Sequence, residues 1–152
     1  MNEITYNDVL LINQLCLFQG EPFGVLDEGR IQSALGNQYQ SFYPTPELAF
    51  ASVYRSLVIN HGFRNGNKRT GVIVLYIASK MLNNELRLDD KGLNNLTYRI
   101  AGEGGSRITV QEIAEQAFSF PRVDEEPKDV NVEDTAKTFI HEHEWLMKEL
   151  GK

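Results

Sequence analysis

One stretch of eleven residues concentrates the chemistry of this chain: His61, Gly62, Phe63, Arg64, Asn65, Gly66, Asn67, Lys68, Arg69, Thr70 and Gly71. An imidazole, three cations and two carboxamides stand among glycines, directly before the apolar run 72–75. Glycines let backbone N–H groups come close to an anion, and the N-terminus of a following helix adds a favourable dipole. Lys68 and Arg69 put positive charge at the helix end where cations are unfavourable. That cost points to a site for an anion such as phosphate rather than to packing. His61, one short turn earlier, is placed to take a proton beside the anion.

Helices must hold this loop, and glycine, proline and asparagine mark where they begin and end. The spacing predicts helices over 5–19, 27–35 and 45–60. The third has the clearest start: Thr45 as cap, Pro46 at the first position and Glu47 in the first turn. The next helix begins inside the glycine loop and runs to about residue 83. It is apolar almost all round over 72–78, which makes it the central helix of the domain. Asp89 and Asp90 open another helix, ending near 102–105, and Thr109 with Glu112 resembles a capping box ahead of a helix to Phe118. No alternating pair of segments is long enough for a sheet, so the predicted fold class is all-α. The aromatic and polar stretch 36–43 has no helical period and reads as an extended flap or small β-hairpin carrying Tyr39, Phe42 and Tyr43. Residues 121–131, charged and containing two prolines, read as a linker. Residues 132–150 read as one amphipathic helix with Val132, Ala136, Phe139, His143, Leu146 and Leu150 along a stripe. The expected organisation is a domain over 1–120, the linker, and a C-terminal helix within 132–152.

Composition narrows the possible partners. A chain of 152 residues with 41% hydrophobic content can build one domain with a real core. No apolar run reaches the roughly 20 residues of a membrane span, and the first residues lack the cationic start of a signal peptide. Cys16 is the only cysteine, so no internal disulfide forms, and the expected location is cytoplasmic. Cys16 falls in a helical apolar pattern and is expected to be buried rather than nucleophilic. The net charge of −6 argues against a nucleic-acid partner. The one dense basic cluster, Arg64, Lys68 and Arg69, suits a single small anion. Residues 121–152 hold nine acids and five bases, so two thirds of the net negative charge lies in the C-terminal appendage. His141 and His143 stand two apart and fall on different helix faces, unlike the four-residue spacing of zinc-binding helices, so no metal is expected there.

The loop resembles the Fic/Doc motif, in which histidine, phenylalanine, an acid, glycine or alanine, asparagine, glycine or lysine, and arginine follow in order. Here these positions are His61, Phe63, Asn65, Gly66, Asn67, Lys68 and Arg69. Lys68 followed by Arg69 and Thr70 is similar to the Doc (death-on-curing) branch, whereas the Fic branch has glycine at that lysine and a second arginine where this chain has Val72. The segment from Gly24 to Leu35, the Phe42-Tyr43-Pro44-Thr45 entry and the segment 108–118 also resemble Doc-like proteins, so the likeness spans residues 4 to about 120.

The resemblance implies an all-α Fic/Doc-like domain acting as the toxin of a toxin–antitoxin system. Its implied activity is ATP-dependent phosphorylation of a hydroxyl on a protein target of the translation elongation factor type. ATP and Mg are the implied cofactors. His61 would be the general base, Arg69 a catalytic and phosphate-binding residue, and Asn65, Gly66, Asn67 and Lys68 the rest of the phosphate site. Phe63 would anchor the loop in the core. The flap with Tyr39, Phe42 and Tyr43 would hold the target as an added strand. The motif acid, which holds Mg in the family, is Asn65 here and could ligate a metal only without charge. Gly62, in place of a common proline, predicts a looser loop. The alternatives are a Fic-type AMP transferase, or a nucleotide- or partner-binding protein weakened in catalysis by Asn65. The C-terminal helix has three expected roles: packing on the core, restraining the protein in cis where an antitoxin segment would bind, or mediating association. Thr138 and Glu142 have the spacing of the inhibitory helix of some Fic proteins, but His143 stands where glycine or asparagine follows.

Overall fold

Side-chain caps decide where most helices start. Thr5 accepts from the Asp8 N–H while the Asp8 carboxylate accepts from the Thr5 N–H, and α1 (Tyr6–Cys16) follows this closed box. Asp27 caps α2 (Glu28–Gly36), and Thr45 with Pro46 opens α3 (Pro46–Asn60). Asp89 caps α5 (Asp90–Ala101), Thr109 caps α6 (Val110–Ala117) and Asn131 caps α7 (Val132–Glu142). α4 (Asn67–Met81) differs: Gly66 stands at its N-cap position with φ +77° and no side chain caps the helix. The N–H groups of its first turn therefore lack the side-chain partner that these six helices have. The computed structural model describes residues 3–102, 107–120 and 128–152.

α4 lies at the centre because it has almost no polar face to show to water. Val72, Ile73, Val74, Leu75, Ile77 and Ala78 are all at 0% exposure. α3 packs against it closely: a Cβ at Gly71 would lie 2.7 Å from Val58, so only glycine lets the two helices approach this far. Tyr54 on α3 is fully buried and shares a 2.7 Å hydrogen bond with Thr97 on α5. Burial pushes the Tyr54 hydroxyl well above its ordinary range, so it stays neutral. Among the described residues the fold has eight α-helices and no strand, which agrees with the all-α expectation. One isolated antiparallel bridge joins Val25 to Phe63. No helix there is long and apolar enough to cross a membrane.

The structure departs from the expected elements in two places. The flap forms no hairpin: Asn37–Tyr39 is a 3-10 helix and turns carry the chain to α3. Polar side chains pull this stretch onto the body. The Gln38 amide donates to the Ile4 and Leu35 carbonyls, its oxygen accepts from the Ile4 N–H, and Asn37 donates to Ser56. The Tyr39 hydroxyl donates to Glu3 at 2.5 Å, which pushes its pKa up to about 12. Tyr43 donates to Ser52 at 2.8 Å. The second departure is the C-terminal helix, which breaks at His143 (φ −125°, ψ +44°) into α7 and α8 (Glu144–Leu150). The His143 ring stacks on Phe139 at 4.1 Å, and its Nδ1 lies 2.7 Å from the Asp90 carboxylate at the start of α5. The break turns Leu146, Met147 and Leu150 into the same buried cluster as α4. Residues 103–106, at the expected end of the fifth helix, and 121–127, most of the expected linker, lie outside the described residues.

α7 and α8 contribute Ala136, Phe139, Leu146, Met147 and Leu150 to the common core, so cutting back Phe139 should be felt globally. Phe139→Ala is expected to lower stability by about 3–5 kcal/mol in urea unfolding, within a single transition. A separate early transition in the wild-type chain would show that this segment unfolds by itself.

Candidate active site

The loop between α3 and α4 is built by three main-chain constraints. His61 ends α3 in the left-handed region (φ +49°, ψ +50°), a conformation that costs a non-glycine residue on the order of 1–3 kcal/mol. Its side chain is exposed. Gly62 is buried, and its carbonyl accepts from the Leu26 N–H at 2.8 Å and the Asp27 N–H at 3.2 Å. A Cβ at this position would lie 2.4 Å from Ile31, so Gly62 locks the loop against α2 rather than loosening it, contrary to the sequence reading. The Arg64 N–H donates to the Gly24 carbonyl at 2.8 Å, completing the bridge around Phe63. Phe63 itself is buried at 2% exposure.

Asn67 closes the loop on itself. Its carboxamide oxygen accepts from the Phe63 N–H at 3.0 Å, and its NH2 donates to the Phe63 carbonyl at 2.8 Å. Both ends of the side chain are thereby committed to the loop. Expected as a phosphate ligand, Asn67 keeps one side-chain N–H and its main-chain amide for an anion. Gly66 needs both its conformational freedom and its missing side chain. Its φ is +77°, and a Cβ would lie 3.1 Å from the Asn13 amide and 3.5 Å from the Cys16 sulfur. Asn13 on α1 is fully buried and donates to the Asn65 carbonyl at 2.8 Å and to Thr70 at 3.1 Å, fixing the loop from below. The sequence reading missed this residue. The only sign of it was a carboxamide beside the apolar stripe of Val9, Ile12 and Cys16 on α1. Burial pushes the Cys16 thiol up, in line with a packing role.

Arg69 lies deeper than the rest of the expected phosphate site. It is 1% exposed, at the wall of the loop cavity, and its guanidinium is already engaged by the protein. Its guanidinium donates to the Cys16 carbonyl at 2.5 Å and forms a 2.9 Å ion pair with Glu21, while the Phe18 ring lies 4.0 Å from its central carbon. A buried guanidinium must be paired, and Glu21 supplies the charge. Glu21 was also missed, because its partner is 48 residues away in sequence. Lys68 remains half-exposed with its ammonium 5.3 Å from the centre of the Tyr98 ring. His61 and the run from Arg64 to Arg69 border a small open cavity of about 230 Å3, with Glu21 beside them and Leu150, Gly151 and Lys152 at the far rim. Tyr39, Phe42 and Tyr43 do not border it. Of these three only Phe42 is both strongly exposed, at 68%, and without a hydroxyl tied to the body.

The donor set does not fit a magnesium ion held by the protein. The Asn65 NH2 donates to the Pro22 carbonyl at 3.0 Å, so only the neutral amide oxygen points elsewhere. One Glu21 oxygen accepts from Arg69, and the other lies 2.9 Å from the same guanidinium nitrogen and accepts from the Phe18 N–H. Among the described residues no group of three or more histidine, cysteine, aspartate or glutamate side chains converges on one point. The expected metal role of Asn65 therefore finds no anionic partner to support it. His143 is engaged by Asp90, and His141 lies exposed on α7.

The clamp can be tested directly. Asn67→Ala removes two hydrogen bonds from a part-buried turn and should lower stability by about 2 kcal/mol in chemical unfolding. A loss near zero would show that Asn67 does not hold the turn.

Comparison with known proteins places the motif in context. The family model described as Fic/DOC family matches residues 3–78, half of the chain, from the start of α1 well into α4. No curated protein matches. No solved structure matches either. The match takes in the bridge segment, the histidine loop and the first turns of the central helix, and the chain belongs to the Fic/DOC family.

Proposed function

We propose that this protein moves the terminal phosphoryl group of ATP to a hydroxyl of a protein target, with His61 as the general base. Fic/DOC proteins generally transfer nucleotide-derived groups to proteins. The observation that carries the reading is the shared cavity. It brings His61, Lys68 and the uncapped first turn of α4 to one small space, on a backbone rigidly tied by Asn13 and Asn67. In the step proposed, a ring nitrogen of His61 takes the proton of the acceptor hydroxyl. The oxygen then attacks the terminal phosphorus, a new P–O bond forms, the bond to the bridging oxygen breaks, and ADP leaves with the electron pair. Lys68 and the amides at the start of α4 offset the charge on the transferring group. Lys68 and Val72, standing where the AMP-transferring branch has glycine and a second arginine, favour the pose with the terminal phosphate towards His61. A translation elongation factor is the proposed class of target. An antitoxin, or the α7–α8 segment acting in cis, is the proposed restraint.

A second reading is nucleotide binding without turnover. It draws support from Asn65 at the acidic motif position and from Arg69, which borders the cavity but is already paired with Glu21.

With γ-labelled ATP and an elongation factor as acceptor, label is expected on the protein target. His61→Ala should lower the transfer by at least about 100-fold while leaving ATP binding in place. Transfer from α-labelled ATP alone would assign AMP transfer instead. Binding of ATP with transfer of neither label would favour the second reading.

A further inference from the structure

We infer that this chain takes up a nucleoside triphosphate without a divalent ion held by the protein, its own cations doing the work that a bound metal does elsewhere. The inference rests on the nucleotide reading above and goes beyond it in naming how the charge is balanced. Magnesium in phosphate sites is held by one or two carboxylates together with the phosphates themselves. Among the described residues the site supplies none that is free. Asn65 is neutral, and the end of its side chain is fixed by its partner: the Pro22 carbonyl can only accept, so the NH2 must face it and the bare oxygen must turn away. The Asn65 main-chain carbonyl is taken by Asn13. Glu21, among the described residues the one acidic side chain bordering the cavity, is neutralised by Arg69.

The positive side of the balance is open by contrast. Arg64 and Lys68 border the same cavity, and among the described residues neither has a carboxylate partner. The first turn of α4 adds N–H groups with no capping side chain. A polyanion entering this cavity therefore meets uncompensated cations and no competing acid. A carboxylate at position 65 would reverse that balance: it would repel the phosphates unless a divalent ion sat between them.

The test is ATP binding to the full chain by calorimetry, once with excess EDTA and once with millimolar magnesium. The expected dissociation constants agree within about threefold for the wild type. Asn65→Asp should bind at least tenfold more weakly in EDTA and recover in magnesium. Asn65→Ala loses the bond to Pro22 without gaining charge, and should stay as indifferent to magnesium as the wild type. It separates the effect of charge from any disturbance of the loop. Wild-type binding that weakens tenfold or more in EDTA overturns the inference and leaves the nucleotide reading standing. Equal magnesium dependence of Asn65→Ala and Asn65→Asp also overturns it. Absence of ATP binding with and without magnesium brings down the nucleotide reading itself, and the inference with it.

Discussion

A buried guanidinium sets the terms for the loop and its surroundings. Arg69 sits at 1% exposure in the first turn of the central helix, and a charge placed there must be met by neutralising groups or the helix cannot pack. Meeting it fixes several things at once. The last carbonyl of α1 must point inward, the chain after α1 must bring Glu21 back over the helix end, and Phe18 must lie across the guanidinium. The extended segment that follows then runs beside the loop and pairs with it at Val25 and Phe63. The path of residues 16–27 thus follows from one residue of the motif. The site is shaped by a cation that its own ion pair holds at the cavity wall.

The division of labour within the motif is clear on these terms. Phe63 is buried, and Asn67 and Arg69, though they border the cavity, spend their side chains on the loop and on Glu21. His61, Arg64 and Lys68 face the cavity. Gly62 and Gly66 hold positions where any side chain would strike Ile31 or crowd Asn13. A string of residues that looks uniformly suited to an anion is in fact about half scaffold, and the left-handed strain at His61 is sustained because the scaffold is so fully determined.

Local signals were the legible ones. The caps at Thr5, Asp27, Thr45, Asp89 and Thr109 mark helix starts because each acts through a hydrogen bond to a residue three positions on. The all-apolar run of α4 announced its central place for the same reason: burial of a whole helix face needs no partner to be named. What stayed hidden depended on distant residues. Asn13 and Asn65 are 52 positions apart, and Arg69 and Glu21 are 48. The flap reading failed because Gln38 and Asn37 find hydrogen-bond partners at Ile4 and Ser56, and these hold the stretch in a 3-10 turn. The single C-terminal helix failed because a periodic stripe cannot reveal that His143 has Asp90 and Phe139 waiting for it.

Phe18 links two regions that are remote in sequence. Its ring covers the Arg69 guanidinium, and it also touches the backbone of Gly151, where a Cβ would lie 2.5 Å from the ring. A side chain at position 151 would force the ring to shift from its place over the arginine. Packing at the tail of α8 is thereby coupled to a motif more than eighty residues upstream.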